Sequence, residues 1–255
     1  MKQIPNIVTL LNLVFGCLAL VCILQPGENI AILDDNNVLH INLPPALTMG
    51  SVFIGCAALV DFVDGFVARL MKVASPLGKE LDSLADLVSF GVAPGALLYQ
   101  LLRMSYLREP SAFDTPLWLF LPVLLFPCAA AYRLAKFNTG NGQDYGFRGV
   151  PTPPAGLLVA SLPLIFFYDQ FGLAPLIVNK WFLYGLIIVC SWLMISGLPM
   201  LSLKFKTYAF GANWPKWLLI VLAALAAGFL RWVAVPFVFG AYVILSIVAG
   251  KRATA

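Results

Sequence analysis

Four aspartates in a mostly apolar part of the sequence are the residues best suited to chemistry. They are Asp61, Asp64, Asp82 and Asp86. A carboxylate at membrane depth costs roughly 2.5–3.5 kcal/mol on insertion scales, so it needs a pathway, a partner or a cation. Few basic side chains lie nearby, and ion pairing alone therefore explains the four carboxylates poorly.

The spacing of the aspartates predicts that they converge. Asp61 and Asp64 are three residues apart and Asp82 and Asp86 are four apart, so each pair shares one face of a helix. The S-P-L-G stretch at residues 75–78 predicts a break between two antiparallel helices. A cluster of carboxylates suits Mg²⁺ or Mn²⁺, which bridge to phosphate. A proton relay and a polar seam between helices are the alternatives.

The complete string, D-x2-D-G-x2-A-R-x8-G-x3-D-x3-D, resembles the signature of the CDP-alcohol phosphatidyltransferase family at every motif position. Besides the aspartates, the matching residues are Gly65, Ala68, Arg69 and Gly78. The resemblance implies an all-α membrane fold with a six-helix core, two bound divalent ions and a homodimer.

The same resemblance implies roles for the motif residues. The four aspartates are expected to bind the metal ions, and Asp86 is also expected to take the proton of the attacking alcohol. Gly65, Ala68 and Gly78 are expected to let the CDP moiety approach the backbone. Arg69 is a candidate for a phosphate contact or an ion pair.

The composition predicts an integral membrane protein with a single domain. The 255 residues are 61% hydrophobic and 11% charged, whereas soluble domains carry about 25% charged residues. The net charge of +4 is modest and does not suggest a nucleic-acid partner. The odd number of scattered cysteines predicts no disulfide framework.

Eight apolar runs predict eight transmembrane helices. They cover about residues 1–24, 46–73, 84–103, 116–137, 152–168, 180–201, 215–232 and 234–250. The first six, about residues 1–201, form the predicted catalytic core, and the pair at about 215–250 is additional. The polar residues 25–45 are predicted to form a loop outside the bilayer. Four glycines in the last three runs are expected to be packing positions, and they are Gly185, Gly197, Gly228 and Gly240.

Polar residues recur at a spacing of three in the first run. Asn6, Thr9 and Asn12 share one stripe of an otherwise apolar helix. The stripe fits either a hydrogen-bonded seam between helices or the wall of a polar site. Related enzymes begin with a similar P-N-x-x-T stretch near the nucleotide, so the resemblance implies that Asn6 and Thr9 bind the CDP moiety.

The basic residues predict the orientation in the membrane. With the N-terminus in the cytoplasm, twelve of the 16 Lys and Arg residues fall on the inner side. The four on the outer side are Arg103, Arg108, Lys180 and Arg231. Both termini and the aspartate hairpin then face the cytoplasm from the inner membrane of the cell.

A glycine-rich, basic stretch at residues 131–156 follows the fourth run. Glycine backbone can approach an anion closely, and arginine binds carboxylate or phosphate bidentately; an ordinary positive-inside loop is the alternative. Its F-R-G-V-P-T-P-P-A-G string resembles the loop of the bacterial membrane-embedded phosphatidylserine synthases, a branch of the same family. The resemblance implies that serine or lipid phosphate binds at Arg133, Asn138, Arg148 and Thr152.

The resemblance thus implies transfer of the phosphatidyl group of CDP-diacylglycerol to L-serine, with CMP as the second product. The nearer alternative is a sister transferase that uses glycerol 3-phosphate or inositol phosphate. A cation or proton transporter with an aspartate relay is the remote alternative. It predicts carboxylates spread across the bilayer, whereas the sequence clusters them near one face.

Overall fold

The chain is an all-α integral membrane protein. The computed structural model describes residues 4–25, 31–33, 39–41, 43–71, 76–107, 114–139, 148–201 and 213–253. Within these ranges, five stretches are long and apolar enough to cross a membrane. They are Asn6–Leu24, Pro45–Phe66, Pro76–Tyr106, Leu117–Thr139 and Trp214–Ala249. Two shorter apolar helices, Thr152–Tyr168 and Lys180–Ile195, accompany them.

The described part of the chain is mostly helical and contains ten α-helices. In order they are α1 (Ile4–Leu24), α2 (Pro45–Met71), α3 (Pro76–Leu87), α4 (Ala93–Tyr106), α5 (Leu125–Thr139), α6 (Thr152–Tyr168), α7 (Ala174–Ile177), α8 (Lys180–Ile195), α9 (Trp214–Leu230) and α10 (Ala234–Ala253). The π-helical turn Val88–Val92 makes α3 and α4 continuous, and the 3₁₀ segment Leu117–Leu124 leads into α5. The turn Arg231–Val233 divides the last long stretch into two helices, α9 and α10. Together with the other four long stretches and the two shorter apolar helices, they confirm the eight predicted apolar helices.

The boundary between the two aspartate pairs differs from the prediction. Helix α3 begins at Pro76, so Gly78 lies in its first turn and not in a break. Proline is favoured there because the first N–H groups of a helix have no partner within the helix. The second aspartate pair consequently lies inside one long helical stretch that extends to Tyr106.

The predicted end of the sixth run at residue 201 is also wrong. Helix α8 ends at Ile195, and Ser196 adopts an extended conformation after it. Gly197 and Pro199 follow closely, and neither favours continuation of a helix. The chain from Ser196 onward is therefore available to pair with another segment.

The region predicted to be a loop at residues 25–45 contains an antiparallel pair of strands. Strand β1 (Ala31–Leu33) pairs with β2 (Leu39–Ile41), and the register sets Ile32 opposite His40. Isoleucine and leucine dominate both strands, and β-branched residues favour extended backbone. The polar composition of the surrounding residues concealed these two short segments.

The stretch Pro76–Tyr106 forms the centre of the bundle and is the most deeply buried of the five. Phe90, Leu97 and Leu101 are fully buried within it. Large apolar side chains such as Phe229, which is 78% exposed, point outward. Exposed apolar surface of this kind suits helices that are surrounded by lipid.

Two small residues let helices approach the π-helical turn closely. A Cβ at Gly16 of α1 would lie 3.0 Å from Ser89 Cα, and one at Gly156 of α6 would lie 3.0 Å from Phe90 Cα. The packing role expected for four later glycines is wrong within the described part of the chain, because a Cβ there would meet no described atom within 4 Å. They are Gly185, Gly197, Gly228 and Gly240.

Candidate active site

Three of the four aspartates meet where α2 approaches α3. One carboxylate oxygen from each of Asp61, Asp82 and Asp86 lies within 4.8 Å of the others. Asp86 is buried, and the other two side chains are half-buried. Carboxylates this close repel one another, so a cation is required to hold them together when all are ionised. Oxygen ligands in this number and arrangement suit Mg²⁺ or Mn²⁺.

The fourth aspartate lies beside this cluster and is held by the first helix. Asp64 is buried, and its carboxylate accepts a hydrogen bond from the Thr9 hydroxyl of α1. It remains within electrostatic range of Asp61 and Asp82. The two aspartate pairs are therefore brought together as their spacing predicted.

The polar stripe of α1 lies against the carboxylates. Asn12 is fully buried, and its Nδ2 donates to Asp86 Oδ1 at 3.2 Å. Ser89 Oγ donates to the backbone oxygen of Asn12 at 3.1 Å. Asn12 Oδ1 has no hydrogen-bond partner among the described residues. The stripe is thus a hydrogen-bonded seam between helices and also a wall of the acidic cluster. Asn6, the first residue of the stripe, is half-buried one turn before Thr9.

The small residues of the motif are placed differently from one another. Gly65 is exposed, and a Cβ there would meet no described atom within 4 Å, so no described helix packs closely against it. Gly78 is half-buried in α3. Ala68 and Arg69 belong to α2, but their side chains lie outside the described part of the structure. The exposed backbone of Gly65 is compatible with a ligand lying along this face.

Among the described residues, Arg133 of α5 is a basic side chain that the fold brings to the cluster. Its guanidinium lies within electrostatic range of Asp86 and of Tyr242 in α10. Its buried Nε has no hydrogen-bond partner among the described residues. A half-buried arginine whose buried Nε has no described partner is suited to binding an anion.

Asn138 and Thr152 lie at opposite ends of the basic stretch. Asn138 ties α5 to α3, because its Nδ2 donates to Ser83 Oγ at 2.8 Å and its backbone oxygen accepts from Lys79 Nζ at 3.0 Å. Thr152 begins α6 and is fully buried, and its hydroxyl has no described partner. Residues 140–147 of the stretch lie outside the described part of the chain.

Arg148 is positioned through its backbone, which pairs with Pro199 in the segment after α8. Gly149 follows with φ of +75°, and a Cβ there would lie 2.5 Å from the backbone oxygen of Met194. Gly149 is thus required by packing against the end of α8. The sequence left two interpretations of these glycines open, close approach to an anion and turns of an ordinary loop, and the positive φ of Gly149 fits the second.

The sequence did not indicate Ser89 or Tyr242 as neighbours of the site. Ser89 is an isolated hydroxyl in an apolar run, and Tyr242 belongs to the helix pair for which no role was predicted. Tyr242 and Ser246 are four residues apart in α10, so they share a face. That polar pair on an apolar helix is the signal that could have drawn attention to α10.

Known proteins resemble this chain over most of its length. A family model described as CDP-alcohol phosphatidyltransferase matches residues 2–195. The chain is 31% identical to the CDP-diacylglycerol–serine O-phosphatidyltransferase of Bacillus subtilis over 185 residues, which are 71% of this chain and 89% of that protein. It is 32% identical to the protein of that name from Helicobacter pylori strain J99 over 203 residues, 78% of each chain.

A mycobacterial protein is similar over a shorter range. The CDP-diacylglycerol–serine O-phosphatidyltransferase of Mycobacterium leprae is 37% identical over 154 residues. These residues are 58% of this chain and 47% of that protein, so the match spans about half of the mycobacterial protein. The family match contains every residue of the acidic cluster and ends before α9 and α10.

Proposed function

This chain belongs to the CDP-alcohol phosphatidyltransferase family, and from that premise we propose that it transfers the phosphatidyl group of CDP-diacylglycerol to L-serine. The serine hydroxyl attacks the phosphorus that carries diacylglycerol, the bond from this phosphorus to CMP breaks, and phosphatidylserine forms. The convergence of Asp61, Asp82 and Asp86 within 4.8 Å carries the proposal. The names of the relatives in three bacterial genera support serine as the acceptor.

In this proposal the four aspartates bind divalent metal, with Asp61, Asp64 and Asp82 as ligands and Asp86 both as a ligand and as the base. The donor set fits Mg²⁺ or Mn²⁺ because it consists of carboxylate oxygens, three of them already gathered. One or two such ions, when bound, would neutralise the charge of the diphosphate in the donor.

Asp86 accepts the proton of the attacking hydroxyl. The Asn12 amide donates to Asp86 Oδ1 at 3.2 Å and so orients the carboxylate. A carboxylate is a weak base for an alcohol in water, so its fixed position against the bound alcohol must contribute to the rate. Asn12 and Asp86 are both buried, which supports Asp86 as the base because burial limits the orientations that its carboxylate can adopt.

The CDP moiety lies along the face where α1, α2 and α3 meet. Asn6 and Thr9 line this face from α1, and the motif residues line it from the other two helices. The exposure of Gly65 supports this placement, because glycine lets a ligand approach the backbone closely. The motif residues assigned to CDP or phosphate are Gly65, Ala68, Arg69 and Gly78.

The serine carboxylate or the lipid phosphate is bound by Arg133, Asn138, Arg148 and Thr152. Arg133 has the strongest support, since it lies near Asp86 with a buried, unsatisfied Nε. The buried Thr152 hydroxyl is similarly unsatisfied among the described residues. Asn138 has weaker support, because its amide already donates to Ser83 and Glu80.

We also propose that the active site faces the cytoplasm, that both termini lie there and that the protein is a homodimer. The orientation is supported by the distribution of charge and by the helix contacts. Thr9 and Asn12 of α1 contact the aspartates, whereas Ile23, near the other end of α1, accepts a hydrogen bond from Gln100 at 2.9 Å. Arg103 lies beside Gln100, so this outward-assigned arginine is at the end away from the aspartates.

Release of CMP by the purified protein tests the proposal. With CDP-diacylglycerol and Mg²⁺ or Mn²⁺, we expect CMP to appear only when serine is added, and Asp86→Asn should abolish its release. Asp114→Asn is a matched control, because Asp114 is exposed outside the cluster. Release with glycerol 3-phosphate or inositol phosphate in place of serine would contradict serine as the acceptor. Failure with every alcohol would contradict transferase activity.

A further inference from the structure

We propose that α10 positions the acceptor site through a brace, which we define as Tyr242 and Ser246 together with Leu201, the residue that they hold. This inference rests on the proposed function, since it concerns the place where the acceptor alcohol binds. The family match ends at residue 195, so all three residues lie outside it. The brace thus assigns a role in substrate binding to a helix beyond the matched core.

Both backbone groups of Leu201 are bonded to α10. The N–H of Leu201 donates to Ser246 Oγ at 3.1 Å, and its carbonyl accepts from the Tyr242 hydroxyl at 3.2 Å. Ser246 Oγ donates in turn to the backbone oxygen of Tyr242 at 2.6 Å. Tyr242 and Ser246 are 5% and 1% exposed. Buried polar groups that are paired in this way hold a defined geometry, because breaking any pair leaves a polar atom unsatisfied.

The segment that contains Leu201 is bonded to the residues that begin with Arg148, which belongs to the predicted acceptor site. Backbone pairing joins residues 148–150 to the end of α8 and the residues after it. The pairings are Arg148 with Pro199, Gly149 N to Leu198 O at 2.9 Å and Val150 N to Leu193 O at 3.0 Å. Only Met200 lies between Pro199 and Leu201, so a continuous backbone path connects α10 with Arg148.

Close backbone contacts leave little room for movement along this path. A Cβ on Gly149 would lie 2.5 Å from Met194 O and 2.9 Å from Ser196 O, so these backbones are already in close contact. Displacement of the residues after α8 must therefore displace Gly149. Thr152, whose buried hydroxyl we assign to the acceptor, starts α6 three residues later.

Helix α10 also reaches the site directly. It packs against α6, and Tyr242 lies within electrostatic range of Arg133. The tyrosine that holds Leu201 thus borders the arginine with the best support as an anion ligand. Tyr242 is therefore connected to the acceptor site in two ways, through its hydrogen bond to Leu201 and through its proximity to Arg133. The donor face on α1 and α2 has no described bond to the brace.

The test compares the KM for serine with the KM for CDP-diacylglycerol in Tyr242→Phe and Ser246→Ala variants of the full chain. Each change removes one hydroxyl from the brace and preserves the rest of the side chain. We expect the KM for serine to rise about fivefold, equivalent to about 1 kcal/mol. The KM for CDP-diacylglycerol and the metal concentration for half-maximal activity should stay unchanged.

Two matched controls remove equivalent hydroxyls elsewhere. Tyr184→Phe removes a tyrosine hydroxyl that donates to the Leu119 carbonyl at 2.7 Å, and Ser161→Ala removes a buried hydroxyl that donates to Leu158 O at 2.7 Å. Both should leave the KM for serine unchanged. An unchanged KM for serine in both brace variants would overturn the inference.

The KM for CDP-diacylglycerol distinguishes a role in positioning the acceptor site from a merely structural role of the brace. If the brace variants raise the KM for both substrates equally, or only reduce the amount of active protein, α10 is a general scaffold and the inference is wrong. If the unaltered chain releases no CMP with serine, the proposed function itself fails. The two failures can be told apart. If only the brace inference fails, the unaltered chain is active with serine and the variants have the same KM for serine as the unaltered chain.

Discussion

At the scale of single residues, the acidic cluster opposes folding while it prepares the site for a cation. Asp61, Asp82 and Asp86 lie within 4.8 Å of one another, and mutual repulsion at such distances is of the order of a few kcal/mol in a protein environment. Groups arranged for function commonly reduce stability in this way. Stability and activity should therefore respond in opposite directions when one carboxylate is neutralised.

We predict that Asp82→Asn lowers the rate of CMP release about 100-fold or more, as expected for loss of a preorganised electrostatic group. The same change should raise the melting temperature in metal-free detergent by a few degrees, because it relieves repulsion. Thermal unfolding with and without Mg²⁺ measures this, and Asp114→Asn serves as the control. A lower melting temperature in metal-free buffer would contradict the assignment of a cation site.

The contact between Asn12 and Asp86 leads to a second prediction at this scale. Asn12→Ala removes the donor that orients the Asp86 carboxylate, so kcat should fall about tenfold, equivalent to about 1.4 kcal/mol. The KM for CDP-diacylglycerol should change little. Asn179→Ala is the matched control, since Asn179 caps α8, and the next residue, Lys180, contacts Tyr106 at the end of α4 away from the aspartates. An equal loss of kcat in both variants would show a general effect on folding.

At the scale of elements, the start of α6 is fixed by the end of α8. Residues 148–150 bond to the backbone of residues 193–199, and Gly149 adopts a positive φ where the two segments touch. A residue with a side chain is strained in that conformation and would also collide with Met194 O. The position of the backbone from Arg148 to Thr152 thus depends on Gly149.

We predict that Gly149→Ala destabilises the protein by about 1–3 kcal/mol and raises the KM for serine. Gly185→Ala is the matched control, because Gly185 lies within α8 where a Cβ meets nothing within 4 Å. That control should be neutral or stabilising by about 0.5–1 kcal/mol, since alanine favours helix. Thermal unfolding in detergent and serine titration measure both effects. Equal stability of the two variants would refute the packing argument.

At the scale of the whole molecule, the helices separate two polar ends. The aspartates, Arg133 and the brace lie at one end, and Arg103 lies at the other end beside the hydrogen bond between Gln100 and Ile23. Basic residues are retained on the cytoplasmic side of a membrane. The excess of basic residues on the aspartate side therefore predicts which end faces the cytoplasm.

We predict that a cysteine at Asp114 reacts with an impermeant thiol reagent added outside intact cells, whereas a cysteine at Thr139 reacts only after lysis. Both side chains are exposed, and they lie at the two ends of the stretch formed by Leu117–Leu124 and α5. The five native cysteines must first be replaced. The reverse labelling pattern would place the active site outside the cell and contradict the proposed orientation.

The sequence by itself determined the residues able to do chemistry and the number of helices that carry them. Both properties are local: the length of an apolar run decides whether a helix can span the bilayer, and the i,i+3 and i,i+4 spacings decide which aspartates share a face. The motif at residues 61–86 contained all four carboxylates. Boundaries that depend on context, such as the start of α3 at Pro76 and the end of α8 at Ile195, were less predictable.

Only the tertiary structure decided which distant residues meet. Thr9 lies 55 residues from Asp64, and Asn12 lies 74 residues from Asp86, so no local pattern could pair them. The bond between Tyr242 and Leu201 likewise spans 41 residues. Such contacts depend on how whole helices pack, because small residues such as Gly16 and Gly156 set the distance between them. The arrangement around the aspartates, and the role of α10 in it, therefore follow from the fold.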